Sequence, residues 1–134
     1  MTISGKFLYY WLPVIACCLV IFLQSSVAVD LPFNLFPHSD KFFHFFVYAG
    51  LGALFLRACC EGKAENCRNS FVILSILASS EYGLSDEIHQ SFVPGRCADI
   101  LDFGADAAGS LFGAILYRMA KTYGKPITKQ KNLS

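Results

Sequence analysis

Long apolar runs are the feature that most constrains how this chain of 134 residues can fold. The first run extends from Phe7 to Val29 and is interrupted mainly by Gln24 and two serines. It matches the roughly 20 residues that a membrane-spanning helix needs, and Pro13 is expected to kink that helix. Because 54% of the residues are hydrophobic and only 16% are charged, a soluble domain of this size could not bury its apolar side chains. We therefore predict an integral membrane protein surrounded by the lipid bilayer.

The end of this first run also has one feature of a cleaved signal peptide. The tripeptide from Ser26 to Ala28 shows the small-x-small pattern of a cleavage site. The apolar part is, however, longer than the roughly 7 to 15 residues of a typical signal core. This length favours a retained helix over a cleaved one.

Two further stretches predict full membrane spans. One is apolar from Phe42 to Leu56, and the other starts at Asp99 and continues to about Tyr117. A loop at 30–39 precedes the first of these, and its two prolines exclude regular helix. A polar segment at 61–69 has no apolar periodicity and is predicted to be a short connecting loop.

Between these spans, a third helix is predicted to be short. The chain is apolar from Ser70, but polar residues return at Ser79, which leaves too few apolar residues for a full crossing. The far end of this helix must therefore lie in protein or water, not in lipid. The predicted fold class is all-α, an integral membrane bundle of four transmembrane helices with a short third helix.

Polar chemistry is concentrated between Glu81 and Asp106. This stretch holds six carboxylic acids, a histidine, a glutamine and an arginine in an otherwise apolar protein, and charge placed at such a cost points to function. A loop at 85–98 contains V-P-G-R, in which proline and glycine predict a tight turn that orients Arg96.

The fourth helix is predicted to have one face that is acidic at its start and glycine at its end. At 100° per residue, a wedge of about 80° contains Asp99, Asp102, Asp106, Gly109 and Gly113. The G-x-x-x-G spacing allows another helix to approach closely. Each carboxylate would cost roughly 2.5 to 3.5 kcal/mol if it faced lipid, so Asp102 and Asp106 are expected to face the bundle interior.

The second helix is predicted to carry a polar face of its own. Lys41, His44 and Tyr48 recur at i, i+3 and i+7 and therefore share one side of the helix. Asp40 lies one turn before His44 and is expected to accept a hydrogen bond from its imidazole. In an alternative without a functional role, Lys41 extends to the lipid headgroups and His44 is an ordinary histidine at the membrane interface.

The distribution of basic residues predicts the orientation. Three regions are basic: Lys6 near the start, the middle loop with Arg57, Lys63 and Arg68, and the tail with Arg118, Lys121, Lys125, Lys129 and Lys131. The other two loops carry only Lys41 and Arg96 as cations. The positive-inside rule therefore predicts a multi-pass protein of the plasma (inner) membrane with both termini in the cytoplasm. The polar segments of helices two, three and four then meet at the extracytoplasmic face.

These polar residues form two motifs that resemble the VanZ-like family, small integral membrane proteins named for a protein of teicoplanin resistance. The first motif is D-K-x-x-H-x-x-x-Y from Asp40 to Tyr48, and the second is D-E-x-H-Q-x-F-x-P-G-R-x-x-D-x-x-D from Asp86 to Asp102. The resemblance covers 40–117, which we take as the VanZ-like domain. Residues 1–39 form the first transmembrane helix and outer loop, and 118–134 form a basic cytoplasmic tail.

The resemblance and the polar clusters together define candidate site residues. The predicted ligand-binding residues are Asp40, Lys41, His44, Tyr48, Glu87, Gln90, Arg96, Asp99 and Asp102. Catalytic residues are not assigned, and the candidates for such a role are His44, Glu87, His89 and Asp102. No metal ligands are assigned either; a divalent cation held by Glu87, His89, Asp99 and Asp102 is a less favoured alternative, because their spacing matches no closed structural site.

A structural interpretation of the same residues pairs Arg96 with Asp99 or Glu87, and Lys41 with Asp102. In this interpretation the ion pairs lock three helix ends together. Acids outnumber bases in the cluster, so some carboxylic acids must be protonated, exposed to water or bound to a cation.

Three functions remain open. One is an envelope protein whose outer pocket binds a lipid-linked envelope component or influences teicoplanin susceptibility. The others are a membrane-embedded hydrolase or transferase acting on a lipid head group, and a structural or partner-binding helical bundle. The sequence decides neither whether a reaction is catalysed nor the oligomeric state. It contains no basic stripe with interleaved aromatic residues, so we predict no nucleic-acid partner.

The cysteines show no pattern of a disulfide framework. They are Cys17, Cys18, Cys59, Cys60, Cys67 and Cys97. Four of them lie within or at the edge of apolar runs, so most are predicted to be buried thiols.

Overall fold

The fold is entirely helical within the residues that the computed structural model describes, 3–27 and 39–124. Four α-helices follow one another: α1 (Ile3–Ser25), α2 (Ser39–Cys59), α3 (Asn69–Gln90) and α4 (Ile100–Tyr123). A short 3-10 helix, Ala64–Asn66, lies between α2 and α3. The all-α prediction is confirmed. The cleavage motif at Ala28, most of the loop predicted at 30–39, and the lysines after residue 124 lie outside the described residues.

Three of the helices have the length and composition of membrane spans. They are Gly5–Ser25 in α1, Ser39–Cys59 in α2 and Ile100–Tyr123 in α4. Large apolar side chains such as Phe7, Leu19 and Phe46 are exposed on their outer surfaces. These surfaces suit a lipid bilayer, where an exposed apolar side chain costs nothing.

The third helix is longer than predicted. α3 has 22 residues and continues to Gln90, so the prediction of a short helix and of a loop starting at residue 85 is wrong. The reason is the placement of its polar residues, because Ser79, Gly83, Asp86 and Gln90 recur at helical spacing and are all buried against other helices. Polarity therefore marks an inward-facing stripe of this helix, not its end. A helix of this length extends about 33 Å, comparable with the other three.

Glycines allow α4 to lie directly against α2. A side chain at Gly109 would overlap the carbonyl oxygen of Phe45, and one at Gly113 would overlap that of Ala49. The close approach that the G-x-x-x-G spacing predicts is therefore present. Both contacts join residues at similar distances from the helix starts, so α2 and α4 run parallel.

The other two helices run in the opposite direction and bring four helix ends together. The Tyr82 hydroxyl of α3 donates a hydrogen bond of 2.6 Å to the Cys18 carbonyl in the second half of α1. At the end of α3, the Gln90 amide donates to the hydroxyl of Ser25, the last residue of α1. We call this end of the bundle, where α1 and α3 end and α2 and α4 begin, the polar end.

The cysteines lie mostly at the opposite end or along the helices. Cys60 and Cys67 are buried and form a disulfide that closes the turn between α2 and α3. Cys17, Cys18 and Cys59 are half-buried thiols, and Cys97 is exposed. The prediction of mostly buried thiols is therefore wrong, because the α2–α3 turn joins the two buried cysteines in a disulfide and the four free ones are only half-buried or exposed.

Candidate functional site

Lys41 ties the start of α2 to the start of α4. Its ammonium group donates hydrogen bonds of 2.8 Å to both Asp99 and Asp102 and one of 3.2 Å to Asp40. The predicted pairing of Lys41 with Asp102 is therefore present. Asp99 also caps α4, because its side chain accepts from the Leu101 amide. An ammonium has three donors, so Lys41 has none left for a further ligand.

A second cluster lies one turn deeper in the bundle and joins α2, α3 and α4. The His44 Nδ1 atom lies 2.9 Å from the Asp106 carboxylate and 3.9 Å from Glu87 Oε1. Asp40 was expected to be the partner of His44, and this is wrong, because Asp40 bonds Lys41 and is exposed. Asp106, which the predicted ligand-binding residues omitted, takes this place.

Three polar atoms in and beside this cluster are buried without a partner. They are Glu87 Oε1, Asp106 Oδ2 and the Tyr48 hydroxyl, none of which has a hydrogen-bond partner among the described residues. The residues themselves are 5%, 0% and 1% exposed. Glu87 uses its other oxygen to accept from the Asp99 amide at 2.9 Å. Burying a polar atom without a hydrogen-bond partner costs stability, so a purely structural role does not explain this cluster.

Arg96 is placed by the tight turn that the sequence predicts. The Arg96 amide donates to the Val93 carbonyl at 3.0 Å, and Gly95 takes a φ of +84°, which favours glycine. One terminal guanidinium nitrogen donates to the carbonyls of Gln24 and Val27 at the end of α1, at 3.0 Å each. The predicted ion pair of Arg96 with Asp99 or Glu87 is absent from the described residues. Arg96 instead donates to carbonyls at the end of α1, where a helix has few backbone donors left for its last carbonyls.

A small cavity opens at the polar end between α1, α2 and α3. Its volume is about 50 Å³, and it is lined by Ile21, Gln24, Ser25, Phe43, His44, Val47, Tyr48, Asp86, Gln90 and Arg96. Asp86 is buried, and one of its oxygens accepts from the Gln90 amide at 3.0 Å. A larger cavity of about 520 Å³ lies at the other end of the bundle, beside Lys6, Trp11 and Cys59. Of these two cavities, the smaller one adjoins the predicted site residues.

His89 lies apart from these clusters. Its ring is 4.7 Å from that of Phe22, and its Nε2 is 3.0 Å from the Ser26 hydroxyl. That hydroxyl also lies 2.7 Å from the Phe22 carbonyl, and the tautomer of His89 decides which group donates in the contact between His89 and Ser26. His89 does not join Glu87, Asp99 and Asp102 as a cation ligand.

Most of the predicted residues lie at the polar end, but four polar residues there were not among the predicted ligand-binding residues. Gln24, Ser25 and Asp86 line the small cavity, and Asp106 belongs to the His44 cluster. For Asp106 a signal existed, because it follows Asp102 by one helical turn on the face already predicted to be buried. Ser25 offers no comparable signal, since it is a small polar residue at a helix end.

The fold and the site define a class: a helical membrane protein with apolar outer surfaces and a buried polar cluster at one end of its bundle. The VanZ/LLP1 family model matches residues 8–121, which is most of the chain. The chain belongs to the VanZ/LLP1 family. Comparison with curated proteins and with solved structures finds no match.

Proposed function

We propose that this VanZ/LLP1-family protein crosses the plasma membrane four times and exposes its polar end on the outer side. Support for four spans comes from the parallel directions of α2 and α4, because two crossings in one direction require a return crossing between them. The return would be α3, whose buried polar stripe is shielded by its neighbours. Support for the orientation comes from the basic residues near the opposite end, such as Lys6, Lys63 and Arg118.

We propose further that the polar end binds the head group of a lipid-linked envelope component through an amine. The observation that carries this proposal is the buried carboxylate of Asp86 on the cavity wall, which forms no ion pair with the described residues. Tyr48 adds an unpaired hydroxyl to the same wall. An ammonium group would satisfy both acceptors, and a buried carboxylate gains most from a charged donor.

Of the two cationic residues at the polar end, Lys41 and Arg96, only Arg96 is available to bind a phosphate beside that amine. Lys41 has all of its donors engaged by carboxylates. Arg96 lines the cavity and uses one terminal nitrogen for the α1 carbonyls, while its other guanidinium nitrogens form no hydrogen bond with the described residues. Arg96 therefore remains free to contact a phosphate next to the amine.

The size of the cavity limits what can enter. A volume of about 50 Å³ holds little more than one or two water molecules, each of which occupies about 30 Å³ in the liquid. Only the amine end of a ligand fits inside, so the rest of the head group would lie at the membrane surface. A ligand held there would alter how teicoplanin reaches its envelope target, which links the site to the family's phenotype.

A structural role is a second candidate for part of this region, because the bonds from Lys41 to Asp99 and Asp102 already join two helices. They explain the outer acids without any ligand. The Ser26 hydroxyl contacts His89, but no described carboxylate contacts the His89 ring to complete an arrangement of nucleophile, base and acid, so nothing specific favours the hydrolase or transferase alternative.

The binding proposal is tested with phosphatidylethanolamine as the probe, because its head group joins an amine to a phosphate. The full chain is placed in nanodiscs of phosphatidylcholine with or without phosphatidylethanolamine, and thermal unfolding is followed by circular dichroism. We expect phosphatidylethanolamine to raise the unfolding temperature of the wild type but not of Asp86→Asn, since a ligand that binds only the folded state stabilises it. Asp40→Asn, which alters an exposed acid at the same end, should respond like the wild type. An equal response of Asp86→Asn and wild type would refute the assignment.

The link to teicoplanin is tested in a teicoplanin-sensitive bacterium. The minimum teicoplanin concentration that inhibits growth should be higher for cells that produce the wild type than for cells that produce Asp86→Asn at the same membrane abundance. If the variant protects equally well, Asp86 has no part in the phenotype. If its abundance collapses, the nanodisc measurement decides between misfolding and lost binding.

A further inference from the structure

His44, Glu87 and Asp106 offer one ligand atom each to a common point in the bundle. Their nearest nitrogen and oxygen atoms all lie within 4.8 Å of one another. The three residues come from α2, α3 and α4 respectively. We infer that they form a binding site for a divalent transition-metal ion, with Zn²⁺ as the ion that fits best. This inference goes beyond the proposed head-group binding and does not depend on it.

The donor set carries the choice of metal. Imidazole nitrogen together with carboxylate oxygen suits Zn²⁺, whereas Mg²⁺ and Ca²⁺ prefer oxygen alone. Zinc binds such atoms at about 2.0 to 2.2 Å, which places tetrahedral ligands about 3.3 Å apart. The separations from His44 Nδ1 are 2.9 Å to Asp106 and 3.9 Å to Glu87, which bracket that spacing. All three ligand atoms lie within 4.8 Å of one another, so their side chains would have to adjust around the ion.

Charge and unpaired atoms support the same site. Glu87 and Asp106 are at least 95% buried, and no described lysine or arginine forms an ion pair with either of them. Each also has one oxygen without a hydrogen-bond partner among the described residues. A dication would balance two carboxylates and occupy the lone pairs that are otherwise unpaired. The competing arrangement is the direct hydrogen bond between His44 and Asp106, which leaves the Glu87 oxygen unpaired.

The site would leave room for further ligands on the metal. Three protein ligands with an open position are typical of reactive zinc sites, whereas structural sites are closed by four. His44 also lines the cavity of about 50 Å³, which accommodates a water molecule. The bound ion would therefore be reachable from the polar end and would also connect three helices.

The inference is tested with Zn²⁺ alone on the purified full chain. The protein is stripped with a chelator in mild detergent, and Zn²⁺ binding is measured by isothermal titration calorimetry and elemental analysis. We expect one ion per chain. Glu87→Gln and Asp106→Asn should each weaken Zn²⁺ binding more than about 100-fold. Substituting a residue that only hydrogen-bonds to a metal ligand typically weakens binding by about 10- to 100-fold, so a larger loss indicates a direct ligand.

Two control variants test whether Zn²⁺ binds at this site or non-specifically to other acids and histidines at the polar end. Asp40→Asn removes a carboxylate and His89→Gln removes an imidazole at the same end, and neither should change the affinity. Zn²⁺ should also raise the unfolding temperature of the wild type and of both controls, but not of the two site variants.

Absence of Zn²⁺ binding by the wild type would overturn the inference without reference to any variant. Binding that survives Glu87→Gln and Asp106→Asn, or that is lost equally in the controls, would also overturn it. If both acid variants misfold, His44→Gln replaces them, and tight binding retained by that variant would overturn the inference in the same way. The readout needs no envelope ligand, so its failure leaves the Asp86 proposal to its own measurement.

Discussion

Replacing Lys41 with methionine tests whether the outer acids of the polar end are held by one cation. The Lys41 side chain is 20% exposed and its partner Asp102 is 11% exposed, so their ion pair is largely buried. Removing one member of a fully buried pair costs about 3 to 5 kcal/mol, because the other charge remains uncompensated. Asp99 and Asp40 are 40% and 58% exposed, and water screens them, so each adds no more than about 1 kcal/mol. Because Lys41 itself retains some contact with water, we expect a loss of about 2 to 4 kcal/mol.

The assay is reversible unfolding in mixed detergent micelles, followed by far-ultraviolet circular dichroism. The decisive comparison is a double-mutant cycle with Asp102→Asn, which removes the charge left behind by Lys41→Met. The double variant should be more stable than Lys41→Met alone, since two neutral groups replace one buried unpaired charge. Asp40→Asn serves as the exposed control and should change the unfolding free energy by less than about 0.5 kcal/mol. Additive effects of Lys41→Met and Asp102→Asn would refute the reasoning, because they would mean that the two groups do not interact.

Three further changes test packing, polar satisfaction and orientation. Gly113→Ala should destabilise the bundle by about 1 to 3 kcal/mol in the same unfolding assay, because its methyl group meets the backbone of Ala49, whereas Gly104→Ala has open space and should be neutral or stabilising. Tyr48→Phe should leave stability unchanged or raise it by about 1 kcal/mol, since it removes a buried hydroxyl without a described partner; a clear loss would reveal a bond at that hydroxyl. Cys97 is exposed at the polar end. A variant that keeps it as the single cysteine should therefore react with a membrane-impermeant maleimide on intact cells. Labelling only after lysis would show that the polar end faces the cytoplasm instead.

Helical periodicity is the part of the structure that the sequence predicts well. The spacing of Lys41, His44 and Tyr48 places them on one inward face of α2, and the spacing of Asp102 and Asp106 does the same for α4. Alternating helix directions then bring these faces to one end of the bundle. Such predictions succeed because they use only the geometry of a single helix and the order of the spans.

Partner choice is the part that the sequence does not predict. Asp40 is the carboxylate nearest to His44 in the chain, yet water already solvates it, and the buried Asp106 gains more from the imidazole. Arg96 likewise has carboxylates nearby in the chain, but it donates to the carbonyls of Gln24 and Val27, at and just beyond the end of α1. The partners of His44 and Arg96 both depend on which groups are buried and on a helix more than sixty residues away in the chain. The local spacing of residues gives no information about either.

Pairing with Lys41 separates two groups of acids at the polar end. Asp40, Asp99 and Asp102 share the ammonium of Lys41, so ion pairing and stability account for their presence. Glu87 and Asp106 lie deeper and keep unpaired oxygens at a cost to the folded state that apolar residues of similar size would avoid. We therefore place the proposed binding functions in the deeper cluster and the adjoining cavity, while the outer acids position the helix ends on which both depend.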